Sequence, residues 1–528
     1  WMMWAVGCVM LRGAGAGDAV AFGVVGALCF LADVRLSVYG FVTAAAYAAW
    51  LVIASGVWRE QREGTRLALR LLGSALLAAG ISALQWAPLL ILRADLSRAD
   101  LSLSDAAFGA IEPAGWAALA LGDHGGGPET MVYVGVSVLA LAALALIAQP
   151  RRFGLWGVVV LVAALYAMGE ASPLWLALNR LIPALRWWRV PSRAWLVAAL
   201  ILPYLAGWGA QLAVERITAG RRSRLALAAL IGSGLACAAT TAIALVPPLD
   251  MGTALGALAL PATAAALALA LSRRIAPAQG LALLTAIVVA DLLWIDRSLV
   301  EWRGADQWLE PHRALAEFLR DDGAVRVYSP SYGLPQQASA YWDIAQFGGV
   351  DPFQRAAFVA AAAEATGVRA EGYSVTVPPL DVEGDAQIRE ANRDAVPDAE
   401  QLGAWLVTHV VADYPLEVEG LTLAGRVGAQ YVYRNEAAPA VALDWDGPNR
   451  VTVTLLDDAT GSLYAVAASG LGGMGKAGDL GLPNAVGEDE REWTFAAEPD
   501  EITLGVAAGI VCVTLAAAAL WGAGRVAR

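Results

Sequence analysis

The chain has 528 residues, 58% of them hydrophobic and 16% charged, with a formal net charge of −12. Apolar runs of about 20 residues recur, each able to cross a hydrocarbon core of roughly 30 Å, which makes it a polytopic membrane protein rather than a soluble one. The charge is uneven: residues 298–500 hold 32 of the 48 acidic residues and 13 of the 36 basic ones. An acidic polar region on a basic membrane body argues against nucleic acid as a partner.

In chain order, 10 to 11 spans are expected, at residues 1–10 (cut), 18–32, 37–57, 69–92, 131–148, 153–168, 194–213, 225–246, 251–271, 281–295 and 502–521. The chain opens at Trp1 inside an apolar segment, so a further portion is expected upstream, along with any targeting segment. Cys8, Cys29, Cys237 and Cys512 all fall in apolar segments, so no disulfide framework is expected in the polar region.

Arginines mark alternate connections. Arg59, Arg62 and Arg66 form one group, Arg151 and Arg152 a second, and Arg216, Arg221, Arg222 and Arg224 a third. Arg273 and Arg274 follow, then Arg525 and Arg528 at the end. The bias of arginine toward the cytoplasm assigns these to the inner side. The outer side then receives 33–36, 93–130, 169–193, 247–250 and the whole of 298–500.

Four regions result. Residues 1–297 form the multi-span domain. Residues 298–420 alternate helical and strand patterns (helices expected at 312–319, 352–365 and 399–406, strands at 325–329 and 408–412) and read as extracytoplasmic mixed α/β. Residues 421–500 carry short strands, with Val451, Val453 and Leu455 alternating with Thr452 and Thr454, and read as a β-sandwich-like extracytoplasmic region. Residues 469–487 are glycine-rich and read as a loop. Residues 501–528 form a last span and a short cytoplasmic tail.

One outer connection breaks the arginine rule. Residues 180–195, RLIPALRWWRVPSRAW, hold Arg180, Arg186, Arg189 and Arg193. Leu174, Leu178, Leu181 and Leu185 recur at helical spacing, with Arg180 and Arg186 off that stripe. The pattern predicts a short helix in the membrane interface, leucines down and arginines toward head groups. Pro191 then breaks the backbone before the next span.

Several stretches resemble the YfhO-type bacterial membrane proteins, relatives of the GT-C glycosyltransferases. They are SALQWAPLL at 82–90, GGPETMVYVGV at 126–136, LRWWRVPSRAW at 185–195, RVYSPSYGLPQ at 326–336, GYSVTVPPL at 372–380 and YRNEAAPAVAL at 433–443. The chain resembles the C-terminal part of that family. Two departures stand out. The family's first outer loop, where a GT-C enzyme carries its catalytic acid, would precede Trp1, and the family's Tyr-Pro-Gly-Trp type segment is ASGLGG here, at 468–473. The resemblance implies transfer of a sugar from a polyprenyl-phosphate carrier to a cell-envelope acceptor outside the plasma membrane. It also implies that this stretch alone is inactive. The alternative is a non-enzymatic membrane assembly or transport factor, or a scaffold, that keeps the fold.

Within that frame, Arg186, Arg189 and Arg193 are candidates to clamp a lipid-linked phosphate, since guanidinium offers a planar fork of donors. Head-group anchoring, or pairing with acids of the protein, is the competing role. Asp291 lies inside a span, where a carboxylate costs roughly 2.5–3.5 kcal/mol and so faces a cavity or a partner. Asp33, Asp123 and Glu129 are the candidate catalytic carboxylates, as base or as ligand of a divalent cation; a solvated loop charge is the alternative for each. His124 lies beside Asp123. His312 and His409 lack metal-like spacing and read as structural.

Overall fold

The computed structural model describes residues 15–121, 129–218, 262, 276–299, 302–380, 385–439, 441–445, 450–455, 492–496 and 500–526. The spans expected at 1–10 and 225–246, that at 251–271 apart from residue 262, the loop at 469–487, Asp123, His124, Cys8 and Cys237 lie outside the described residues. The chain divides into two units. One comprises Trp1–Ala83, Ser102–Glu301 and Ala507–Arg528, the other Leu84–Leu101 and Trp302–Val506.

The first unit is helical. Its helices are α1 (Ala16–Ala32), α2 (Val34–Ser55), α3 (Gln61–Ile81), the start of α4 (Ala83–Ile91), α5 (Val136–Ala148), α6 (Pro150–Ala167), α7 (Pro173–Leu181), α8 (Trp195–Thr218) and α9 (Pro277–Leu299), with a C-terminal helix Asp500–Val526. Among the described residues six helices are long and apolar enough to cross a membrane: Val34–Ser55, Gln61–Ile81, Pro150–Ala167, Pro191–Ala213, Ala278–Ile295 and Gly505–Ala523. The chain is therefore a multi-pass helical membrane protein. The span expected at 69–92 is displaced. Helix α3 begins at Gln61, takes in Arg62, Arg66 and Arg70, and ends at Ile81, with Pro88 inside the separate α4. Apolar content alone missed this start, because arginines are good helix formers.

Glycines set the helix spacing. A Cβ at Gly23 of α1 would lie 2.8 Å from the carbonyl of Ser74 on α3, and the Ser74 hydroxyl donates to the Ala19 carbonyl at 2.7 Å. Gly80 of α3 meets the carbonyl of Gly509 in the C-terminal helix, where a Cβ would stand 3.0 Å away. The closest approach joins α5 and α8: a Cβ at Gly209 would lie 2.0 Å from the Leu141 carbonyl. Small residues let helices meet where lipid gives no hydrophobic drive for association. Around this contact Leu141, Ala145, Phe153, Trp156, Ala198 and Leu205 form a buried core.

The second unit is mixed. Strands β1 (Val327–Tyr328), β4 (His409–Ala412), β5 (Leu421–Val427) and β6 (Gln430–Asn435) form one sheet in the order β1-β4-β6-β5, with β1 parallel to β4 and the rest antiparallel. A two-stranded antiparallel sheet joins β2 (Gly349–Val350) and β3 (Thr376–Val377). Helix α10 (Arg313–Asp321) buries Leu315, Ala316 and Leu319, an i, i+1, i+4 stripe. Helices α11 (Ala356–Thr366) and α12 (Ala399–Ala404) complete the unit. The division expected at 420/421 is corrected here: β5 and β6 hydrogen-bond into the sheet of β1 and β4. A separate three-stranded antiparallel sheet is formed by β7 (Val441–Trp445), β8 (Arg450–Leu455) and β9 (Glu492–Ala496).

Two polar contacts hold this unit. Buried His409 meets Asp322 at 2.9 Å and Thr408 at 3.0 Å, and Arg434 pairs with the same Asp322. The His409 hydrogen bond, with Arg434 assisting, holds the Asp322 carboxyl below its usual range. His409 is thus structural, as its sequence context suggests. His312 sits within electrostatic reach of Asp413, and burial lowers its affinity for a proton. The second contact comes from the connection after α4. Ser97 donates its N–H to the Gln354 carbonyl at 2.8 Å, Leu96 bridges Arg355, and buried Arg98 stands over the rings of Phe353 and Tyr373 at 5.8 and 5.6 Å. The first nine residues of the expected loop 93–130, residues 93–101, are a piece of the polar unit.

Gly209→Ala is expected to destabilise the protein by about 1–3 kcal/mol, the usual range for overpacking. Gly207→Ala on the same helix, where a Cβ meets nothing within 4 Å, serves as the control. Thermal unfolding in detergent should separate the two; equal melting would remove the close approach of α5 and α8.

Candidate functional site

The site is built where α2 begins, α6 ends, and α8 begins. Asp33 is the N-cap of α2. Its carboxylate accepts from the N–H groups of Arg35 at 2.7 Å and Leu36 at 3.1 Å, and from the Arg35 guanidinium at 3.0 and 3.3 Å. The Arg35 side chain, helped by these N–H groups, holds the Asp33 carboxyl below its usual range. A carboxylate so engaged is a cap before it is a base.

The connection between α6 and α8 differs from the single interfacial helix expected. Helix α7 ends at Leu181, and Leu185 lies in a separate 3-10 turn, Pro183–Trp187. Pro183 cannot supply the N–H that would continue α7. The buried residues of α7 are Trp175 and Asn179, and Leu181 is exposed. A second 3-10 turn, Pro191–Ala194, leads into α8. Before it, Val190 takes φ 67, ψ 72, a left-handed conformation that strains a β-branched residue.

What holds that strained turn is Arg189. Its Nε donates to the Asp105 carbonyl at 3.0 Å, its guanidinium lies 4.1 Å from the centroid of the Phe108 ring, and the residue is 9% exposed. The partners come from the short helix Leu103–Ala107 and its C-cap, Phe108. The Ile111 N–H reaches the Ala167 carbonyl at 2.9 Å, a second tie between the same two connections.

Arg186 and Arg193 are placed differently. The Arg186 Nε donates to the Asn179 carbonyl at 3.4 Å. Arg193 pairs with Glu129; the Arg193 side chain is 16% exposed and that of Glu129 48%. Arg35 is within electrostatic reach of Glu129. Asp33, Glu129 and Arg193, far apart in the chain, therefore meet at one end of the bundle.

Asp291 lies elsewhere, on α9. It is buried, the Tyr133 hydroxyl donates to it, and the N–H groups of Val136 and Ser137 face it. Gly135, the N-cap of α5, has φ 92 and no side chain to cap with. A Cβ there would stand 3.4 Å from the Asp291 carboxylate. Asp291 thus stands at the start of α5 and accepts from the Tyr133 hydroxyl through Oδ1, while its Oδ2 has no hydrogen-bond partner among the described residues.

Three residues of the site escaped the sequence reading. Tyr39 on α2 lies within electrostatic reach of Tyr166 and Arg193, and Tyr166 hydrogen-bonds the Asn179 side chain. Asn179 was legible as the polar residue on the leucine-rich stretch, one position past Leu178. Among the described residues no group of three or more His, Cys, Asp or Glu could hold a metal ion. Compared with family models, curated proteins and solved structures, the chain finds no match in any of the three.

Arg189→Ala and Arg189→Lys are both expected to lower stability by about 1.5–3 kcal/mol, because a lysine keeps the charge but not the planar donor stacked on Phe108. Thermal unfolding in detergent checks this. Full rescue by lysine would mean that charge alone matters at this position.

Proposed function

We propose that this chain is the membrane body and outer domain of a GT-C-like protein of the YfhO type. In this reading it binds a polyprenyl-phosphate-linked sugar at the outer face of the bacterial plasma membrane, for transfer to a cell-envelope acceptor. The observation that carries the reading is the Arg193–Glu129 pair. A guanidinium at the mouth of a span already holds an oxyanion, the chemistry that a carrier phosphate demands. Arg186 stands on the same connection, while Arg189 fixes its shape. The sidedness rests on the arginine-rich connections and on chain continuity. The connection after α4 supplies Arg98 to the polar unit and Asp105 to Arg189.

A second reading, a non-enzymatic assembly or transport factor with the same fold, draws on a specific observation. The two carboxylates at this end are already engaged, Asp33 with the start of α2 and Glu129 with Arg193. Both readings share carrier binding and divide on turnover.

Arg193→Ala in the full-length protein is expected to weaken binding of a polyprenyl phosphate by roughly tenfold to a hundredfold, the worth of a well-made charge-assisted hydrogen bond. Arg193→Lys should weaken it too, since an ammonium is a point charge. Binding as tight as the parent's in both variants, measured by titration in nanodiscs, would make the pair an anchor only.

For sidedness, exposed Gln337 of the polar unit and exposed Gln61 of α3 are the positions to label. Cysteines at these two positions should react with an impermeant thiol reagent from opposite sides of the membrane. Labelling of both from one side would overturn the orientation.

A further inference from the structure

At its start, helix α6 carries two arginines, Arg151 and Arg152, directly after Pro150. Both are exposed, and among the described residues neither has an acid or a hydrogen-bond acceptor for its side chain. The acid of α8 on this side, Glu215, accepts from Gln211 at 2.8 Å. Positive side chains in a first turn oppose the helix dipole, so the folding of α6 gains nothing from them.

Arg152 is nonetheless held in place. Its guanidinium carbon lies 3.9 Å from the centre of the Trp208 ring on α8 and 5.2 Å from that of Phe153, and the two rings pack at 5.7 Å. A cation–π contact fixes a guanidinium and leaves its N–H groups in want of an acceptor. The aromatic cluster continues toward the membrane centre. Trp156 stands 5.5 Å from Tyr47 and 6.2 Å from Tyr204, and Tyr204 is 43% exposed.

Helix α6 itself sets the depth of these groups. It has 18 residues and so rises about 27 Å. Its far end, Ala167, accepts from Ile111 in the connections that carry Arg193. Arg151 and Arg152 therefore stand at the opposite face of the membrane from Arg193, at the level of head groups.

We propose that Arg152, with Arg151 beside it, binds the phosphate of an anionic phospholipid in the leaflet on that side, and that Trp208 is the seat that orients Arg152. A lipid suits the place better than a soluble anion. Tryptophan and tyrosine rings favour this depth, and basic residues between spans are a usual seat of anionic head groups. The exposed surfaces of Tyr204 and of Ile147, just before α6, suit the acyl chains. This site is separate from the carrier site and does not depend on it.

The test titrates a phosphatidylglycerol with a fluorescent acyl chain into the full-length protein in neutral detergent micelles, beside phosphatidylcholine with the same chains. The parent should bind phosphatidylglycerol saturably and in preference. Arg152→Gln should weaken that binding by about tenfold to a hundredfold, as expected for a charge-assisted hydrogen bond, and leave phosphatidylcholine unchanged. Trp208→Leu removes no charge yet should weaken it about fivefold. Arg62→Gln, which removes the same charge from the first turn of α3 at this end of the bundle, should not weaken it, nor should Arg193→Ala. Equal losses in Arg152→Gln and Arg62→Gln would reduce the effect to general surface attraction and overturn the site. So would a loss in Arg193→Ala, equal binding of phosphatidylcholine, or displacement of the labelled lipid by soluble glycerol phosphate. A Trp208→Leu variant that melts like the parent and binds like it would overturn the seat. If that variant fails to fold, Arg152→Gln against Arg62→Gln decides the site.

Discussion

A polar group in an apolar medium must find its partner inside the protein, and the bundle is arranged around that constraint. Helix interiors satisfy it automatically; helix ends do not. Some ends here have a remedy of their own. Helix α2 is capped by Asp33 within its own chain segment. Helix α5, which starts at a glycine, receives Asp291 from α9. The indole N–H of Trp195 reaches the Val132 carbonyl at 2.9 Å. Arg189 satisfies the Asp105 carbonyl and secures the strained turn at Val190.

The same constraint explains why two acids inside or beside spans carry different meanings. Asp291 is costly where it sits, and the Tyr133 hydroxyl and the N–H groups at the start of α5 face it. Glu129 is half exposed and bound to a single arginine. A carboxylate locked into a helix end cannot be spared, whereas one held by a single ion pair at a rim can exchange for another anion.

How much of this was legible depends on range. Span positions are a local property, so the runs behind α2, α6, α8, α9 and the C-terminal helix could be read directly, whereas the runs behind α1 and α5 form apolar helices shorter than the six candidate spans. The start of α3 was hidden because its arginines read as a loop while their backbone is helical. Strands β5 and β6 were visible as strands, but their pairing with β4 is set by contacts distant in sequence. The candidate site divides the same way. Asp33, Glu129 and Arg193 announce themselves by charge. Tyr39 and Asn179 are single polar residues among apolar ones, and only their shared burial gives them weight.

The piece of the polar unit donated by residues 84–101 has a consequence for biosynthesis. This segment leaves the ribosome well before residues 302–375, against which Ser97 and Arg98 finally pack. Until those later residues emerge, Arg98 has neither Phe353 nor Tyr373 to rest against. The polar unit is therefore not an independent module appended to a finished bundle. Its assembly closes a long loop through the membrane domain, so a truncation that removes the polar unit also strips the connection after α4 of the surface on which it folds.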